Sequence, residues 1–445
     1  MRISIAGAGA GKTTKIADSI ISCYEKTATP LNIYCIAFTN NAADCIGSKL
    51  TKHFGSIPTR IKVSTIHSFL YQEIIRPYYY LLYGRHYDRI LNIKLPTVIK
   101  FKNRKISDLD DLGILHVTVI PERAKWVLVK KTGDSKREKY IRNVILSTLT
   151  KYWGSIYIDE AQDIDGDFLE ILKTLKSNGF HIELMGDPKQ DLKGFGNLRK
   201  LVELYPENVH YITECHRCPQ MHLKLSNTLV CDAENQNSQK TQGALKVIFE
   251  SDISTRNFIN ESSFDLIYIS AKNTRFETHD QENTSTRFET LNHELRIVLA
   301  KIYSGRSNTV IARAAYYYAI ILIRSYQITH DAQKTMKAIF TSIRLSTSDY
   351  ARIIQALQIN DDNNNEKISV HSIDSIKGQE GYNCLFILTT DLAAYLFAKK
   401  TSDNKTKNKL YVALTRSLNN LTILITKEVE DEYGHDFILT YTNCC

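Results

Sequence analysis

One segment near the start of the chain, Ala6-Gly7-Ala8-Gly9-Ala10-Gly11-Lys12-Thr13, limits the possible folds more than any other. It follows the apolar run Ile3–Ala6 and runs through Thr14 into a helical pattern. Small residues ahead of Lys12 let successive backbone N–H groups turn inward around phosphate oxygens. Lys12 then reaches the β- and γ-phosphates, and the Thr13 hydroxyl is placed for Mg²⁺. The first position is Ala6 rather than glycine, so the order strand, turn, helix carries the reading. A strand feeding a helix in this way belongs to a parallel sheet covered by helices.

The remaining pattern agrees. Apolar runs Ile33–Phe38, Ile156–Ile158 and Ile182–Met185 each end in polar or glycine-containing turns, with a helical stretch at Phe168–Lys176. A second set begins after Tyr211: Phe264–Ser270, Thr309–Ala312, Ile368–His371, Cys384–Leu388 and Leu421–Ile425. Two α/β lobes are expected. At 445 residues the chain can bury a full core without disulfides or a structural metal. The nine cysteines are odd in number and scattered, which suits a reducing cytoplasm, and Cys444-Cys445 reads as a frayed terminus. No stretch approaches the roughly 18 apolar residues that span a bilayer, and the first apolar run enters a glycine-rich loop rather than a signal-peptide cleavage site. A membrane protein is excluded and secretion is not expected. Lys+Arg 57 against Asp+Glu 48 gives +9. Between Lys94 and Arg142 there are 13 Lys/Arg against 6 Asp/Glu, or +7, so most of the excess is local. That segment suits a phosphate backbone, although charge-rich faces are commonly just solvated.

Phosphate chemistry needs more than a cradle. Ser155–Asp163 ends Ile158-Asp159-Glu160-Ala161-Gln162-Asp163, placing acids at the end of a strand, where Mg²⁺ requires a carboxylate. Asp159 would hold the metal and Glu160 would polarise the attacking water as general base. In Gly186-Asp187-Pro188-Lys189-Gln190, the Gln190 amide can donate to a γ-phosphate and accept from water. Arg217 and Arg416, both expected in the second lobe, are candidates to neutralise transition-state charge. Cys215-x-x-Cys218 with His222 and Cys231 has a loosely zinc-like spacing, but Arg217 lies between the cysteines.

Taken in order, these motifs resemble the UvrD/Rep/PcrA-like superfamily 1 DNA helicases. Ala37-Phe38-Thr39-Asn40 followed by Ala42-Ala43, and Thr65-Ile66-His67-Ser68-Phe69, are similar to the family's first two DNA-contact motifs. Asp159–Asp163, Gly186–Gln190, Ile376-Lys377-Gly378-Gln379-Glu380 and Tyr411-Val412-Ala413-Leu414-Thr415-Arg416 complete the series. The resemblance implies two RecA-like parallel-sheet lobes, with a small inserted domain in the first and a shortened insertion in the second. Its boundaries would be 1–75 and 143–210 for the first lobe and 76–142 for its basic insertion. The second lobe would take 211–334 and 366–445, and its reduced insertion 335–365. It implies ATP-driven 3′→5′ movement on single-stranded DNA, Arg217 and Arg416 as γ-phosphate fingers, Glu380 near the ribose and His216 where an aromatic stacks on adenine. Phe38, Thr39, Asn40, His67, Phe69 and Phe195 would contact DNA, with the aromatic side chains forming a base-stacking path.

The chain also departs from the family. The family reads adenine with a glutamine upstream of the phosphate loop, and with five residues before Ala6 strict adenine specificity is not expected. After Gln190 come Lys193, Phe195 and Gly196, and Asp374 replaces a histidine before Lys377. A narrower likeness, in Glu73-Ile74-Ile75-Arg76-Pro77 and in Arg217-Cys218 followed by Gln220, is to the helicase-like subunit of Gabija antiphage defence. It implies a hetero-oligomer with an ATP-regulated, OLD-like nuclease and DNA with ends as the target. Two functions compete: a DNA-stimulated ATPase or helicase motor, and a non-translocating nucleotide- and DNA-sensing subunit that regulates a nuclease. Polar segments at Asn360–Asn365 and Lys399–Lys409 read as loops, as does the repeated TRFET at Thr274–Thr278 and Thr286–Thr290.

Overall fold

The computed structural model describes all residues except Ala28, 279–282, Ser342, Arg344, 359–366 and Cys445, and leaves out the side chains of 283–286, Asn443 and Cys444. The expected loop Asn360–Asn365 and the terminal cysteine pair therefore lie outside the described residues or side chains. The strands are β1 (Arg2–Ala6), β2 (Asn32–Ala37), β3 (Ile61–Thr65), a short pair β4 (Arg89–Leu91) and β5 (Ile114–His116), β6 (Trp153–Ile158), β7 (His181–Gly186) and β8 (Val209–Ile212). They continue as β9 (Ala244–Phe249), β10 (Leu266–Ile269), β11 (Phe276–Thr278), β12 (Ile368–Ser372), β13 (Gly381–Leu388) and β14 (Ser417–Ile425).

Two six-stranded parallel sheets result, ordered β3-β2-β6-β7-β1-β8 and β11-β12-β10-β13-β14-β9. These are the two RecA-like lobes. Strands such as Ile33–Ala37 and Leu385–Leu388 are buried along their whole length, as in a sheet covered on both faces, which is why they read as unbroken apolar runs. In the first sheet β6, β7 and β1 are neighbours, with Ile158 opposite Leu184 and Ile5 opposite Gly186. The loops leaving their carboxyl ends therefore open on one edge, where ligands of α/β sheets bind.

The chain divides into two compact units. The first comprises Met1–Gly84, Pro121–His279 and Lys367–Cys445 and contains both sheets. The second comprises Arg85–Ile120 and residues 280–366. It holds the β4–β5 pair and the helices Ile99–Asp111, Asn283–Ile302, Asn308–Thr329, Ala332–Ile339 and Thr347–Leu357. Leu291, Leu295, Val298, Leu322, Met336 and Ile353 form its helical core. The expected strand Thr309–Ala312 is instead the first turn of the helix Asn308–Thr329. Its buried residues, Ile311, Ala315, Ala319, Leu322 and Tyr326, recur at helical spacing, a pattern that a four-residue apolar run does not reveal.

Candidate active site

β1 ends at Ala6, and the loop to α1 (Lys12–Lys26) turns through Gly9 and Gly11, both at positive φ. Lys12 Nζ lies 3.4 Å from the Ala6 carbonyl. β6 delivers Asp159 to the same edge, where Thr13 Oγ1 donates to Asp159 Oδ2 at 3.0 Å. Asp159 is fully buried, and burial together with the neighbouring Glu160 carboxylate pushes its pKa up to about 6. A buried carboxylate held this way favours an arriving cation. Thr13 and Asp159 are the side chains that would hold a divalent cation accompanying a bound nucleotide. Bound there, it would neutralise charge on the phosphates. Among the described residues no cluster of three His, Cys, Asp or Glu side chains gathers for a metal ion, so Cys215, Cys218, His222 and Cys231 form no zinc site.

Glu160 takes a left-handed backbone, φ 53, and its N–H donates to Asp159 Oδ1 at 2.9 Å. Burial opposes its ionisation, but Lys12 and Lys377 outweigh it and hold the carboxyl below its usual range. Gln162 Nε2 donates to Glu160, and Gln162 Oε1 accepts from the Asp187 N–H at 2.9 Å. β7 thus joins the network. Gln190 is buried, and its Nε2 donates to Asp187 Oδ2 at 2.9 Å.

Sequence reasoning placed Arg217 in the second lobe, but the residue follows β8, the edge strand paired with β1, so it lies directly beside the phosphate loop. The His216 N–H donates to the Gly9 carbonyl at 2.9 Å. A Cβ on Gly9 would come within 2.4 Å of Arg217 Cβ, and one on Gly7 within 2.2 Å of Gln236 Cδ, so both positions need glycine. Arg217 Nε donates to Glu380 Oε2 at 2.7 Å, so the arginine and Glu380 are partners. The exposed His216 ring reaches to 4.0 Å of a Cβ built on Gly11. Arg416 arrives from the neighbouring β13–β14 connection and is 1% exposed. Its guanidinium donates to the carbonyls of Val412 at 3.1 Å and Gln379 at 3.3 Å. Burial and the proximity of Arg217 bring its pKa down to about 10.

Two participants, Gln236 and Glu234, carried no sequence signal. Ala8 N–H donates to the Tyr411 hydroxyl at 3.1 Å, Tyr411 donates to Gln236 Oε1 at 2.7 Å, and Gln236 Nε2 donates to the Ala8 carbonyl at 2.9 Å. Lys377 reaches across to Asp163 at 2.7 Å, and buried Lys189 bridges Asp187 at 3.0 Å and Glu234 at 2.9 Å. Ala8, Tyr411, Lys377, Asp163, Asp187 and Lys189 all stand in motifs read from the sequence, whereas Gln236 and Glu234 sit in a segment without periodicity.

The expected stacking path is broken. Phe69 is 2% exposed, with its ring against Tyr34 and Trp153, so it offers no face to a base. Phe38 is half-buried, Thr39 caps α2 (Asn40–Phe54) by accepting from the Ala42 N–H at 3.2 Å, and Asn40 and His67 are exposed. Phe195 is 37% exposed. Asp191 builds the loop that presents it, accepting from Gly194 N–H and Gly196 N–H at 2.7 Å each, with both glycines at positive φ. Part of the basic stretch is structural: Arg142 is fully buried, pairs with Asp134 at 2.9 Å and donates to the Trp126 carbonyl at 2.8 Å. Asp374 pairs with Lys409 at 2.5 Å.

Residues 1–196 match the family model of the AAA domain. Over these residues the resemblance to UvrD-like helicases holds. The matched residues include the phosphate loop, Asp159, Glu160 and Gln190 but not Arg217. The chain is also similar to the Gabija protein GajB of Bacillus cereus (strain VD045), with 28% identity over 223 residues. The match covers 48% of this chain and 43% of that protein, so the chain spans less than half the length of its relative. No helix among the described residues is long and apolar enough to cross a membrane.

Proposed function

We propose that this chain is a DNA-stimulated ATPase of the UvrD-like helicase type, acting as the helicase-like subunit of an antiphage system together with a nuclease. The observation that carries this reading is the convergence of Lys12, the Thr13–Asp159 pair, Glu160 and Arg217 around one phosphate loop. Lys12 and backbone N–H groups orient ATP, and Thr13 and Asp159 hold Mg²⁺. Glu160 takes the proton from the attacking water, and Arg217, with Arg416 behind it, offsets charge developing on the γ-phosphate. The partner nuclease and the role in antiphage defence rest on the likeness to the Gabija protein. Movement in the 3′→5′ direction rests on the helicase resemblance.

The sensing alternative has its own support, because burial of Phe69 leaves Phe195 and the His67 ring as the exposed members of the expected path. The purified chain should hydrolyse ATP with Mg²⁺, and faster with single-stranded DNA. Lys12→Ala should abolish turnover; a variant that hydrolysed ATP at the wild-type rate would overturn the assignment. ATP binding without DNA-stimulated turnover would favour the sensing subunit.

A further inference from the structure

The loop that brings Arg217 to the phosphate loop is flanked by two thiols. Cys215 is 3% exposed and Cys218 fully buried, and they form a small cluster with Leu223. Cys215 Sγ accepts the Cys218 N–H at 3.4 Å, and the two thiols hydrogen-bond each other. On its other side Cys215 Sγ stands 3.0 Å from the position of a Cβ on Gly9, so the sulfur touches the phosphate loop. The residue between the thiols on one side is Arg217 itself, fixed by Glu380 at 2.7 Å, and on the other His216, fixed by the Gly9 carbonyl at 2.9 Å.

We propose that Cys215 and Cys218 are a peroxide-oxidisable dithiol whose disulfide withdraws Arg217 from the phosphate loop. The electrostatics favour Cys215 as the attacking sulfur. The Cys218 S–H, the N–H groups of Cys218 and Arg217, and the Arg217 guanidinium bring its pKa down to about 6, while Cys218 is pushed up. A thiolate at neutral pH is the form that reacts. It attacks one oxygen of hydrogen peroxide; the O–O bond breaks, hydroxide leaves and takes a proton to become water, and Cys215 carries S–OH. Cys218 then loses its proton and attacks that sulfur. The S–S bond forms, the S–O bond breaks, and hydroxide leaves as a second water. Two electrons pass from the thiol pair to peroxide, and reduction by a dithiol reverses the change. A disulfide imposes its own Cβ–S–S–Cβ geometry on the Cys215–Cys218 turn, and in the proposed switch the arginine carried in that turn shifts with it.

This consequence rests on the role proposed for Arg217, whereas the chemistry does not, and the test separates them. The full chain is treated with hydrogen peroxide, digested without reduction and mapped by mass spectrometry, while ATP hydrolysis is followed with and without dithiothreitol. The expected result is a disulfide between Cys215 and Cys218, with a loss of rate on the order of a thousandfold or more, restored by dithiothreitol. Cys218→Ser and, as a second variant, Cys218→Ala should keep the basal rate and show no dithiothreitol-reversible loss. Absence of the mapped disulfide overturns the dithiol. A mapped disulfide with an unchanged rate overturns its link to Arg217. A reduced chain without ATPase activity that still forms the disulfide upholds the dithiol and removes the functional reading instead.

Discussion

Glu160 stands in the left-handed region at φ 53, where a residue with a side chain costs about 1–3 kcal/mol. That strain aims its carboxylate at Lys12 and Lys377 while the preceding Asp159 turns to Thr13, so two adjacent acids take separate roles. Glu160→Gln keeps size and backbone but cannot take a proton. It should bind ATP with Mg²⁺ near the wild-type level and lose about 10²–10⁴ in turnover; equal losses in binding and rate would contradict the base. Asp159 gives a pH signature. Its pKa is raised to about 6, so without metal it is protonated in the folded chain over a range, about 4 to 6, in which an ordinary aspartate is ionised. Ionising it as pH rises through that window therefore costs stability, and Mg²⁺, which binds the carboxylate, must displace the proton. Affinity for Mg²⁺-ATP should fall as pH drops from 7 to 5, more steeply than affinity for ATP without metal. Asp159→Asn should abolish that difference, as titration calorimetry at several pH values would register.

Among the elements, the loop Asp191–Gly196 is the clearest case of sequence chemistry setting a shape. One carboxylate accepts two glycine N–H groups, and the two left-handed glycines lift Phe195 into solvent. Base stacking on such a ring contributes about 1–3 kcal/mol. Phe195→Ala should weaken single-stranded DNA binding and its stimulation of hydrolysis by that amount while leaving basal turnover intact, measured by fluorescence anisotropy alongside the ATPase assay. Phe69→Ala should instead destabilise the fold by about 3–5 kcal/mol, because its ring is packed against Tyr34 and Trp153. The pentapeptide TRFET teaches the same lesson about context. Phe276 in the first copy is a buried residue of strand β11, while the second copy, 286–290, lies in the helix Asn283–Ile302. Local propensity did not distinguish them; their packing partners did.

Across the first unit, polar side chains tie the two sheets together. Lys377–Asp163, Lys189–Glu234 and the Ala8–Tyr411–Gln236 ring each join residues before β8 to residues after it. Tyr411→Phe removes one hydroxyl from a buried ring and leaves Ala8 N–H and Gln236 Oε1 short of a partner, a cost of about 1–3 kcal/mol. It should lower the melting temperature and raise KM for ATP more than it lowers kcat, because the loop loses support before chemistry begins. Unchanged KM with reduced kcat would argue against this. Strand separation also needs firm hold of DNA, yet Phe69 is in the core and Asp374 is paired with Lys409. The chain alone should unwind long duplexes poorly, which a strand-displacement assay decides.

The phosphate loop, Asp159, Glu160 and most of the buried strands were legible in the sequence, because each is a local pattern: small residues before a lysine, acids ending an apolar run, unbroken apolar segments. Six strands were not read: β3, β4, β5, β8, β9 and β11 are short or only partly buried, and their alternation is weak. Overlooking β8 is what misplaced Arg217, since only the pairing of β8 with β1 sets that arginine beside Gly9. The inward turn of Phe69 and Gln190, the partnership of Arg217 with Glu380, and the Gln236–Tyr411 hold on Ala8 join residues far apart in the chain. Such contacts depend on which surfaces the parallel sheets bring within hydrogen-bonding distance, and burial then decides which side chains must be satisfied there.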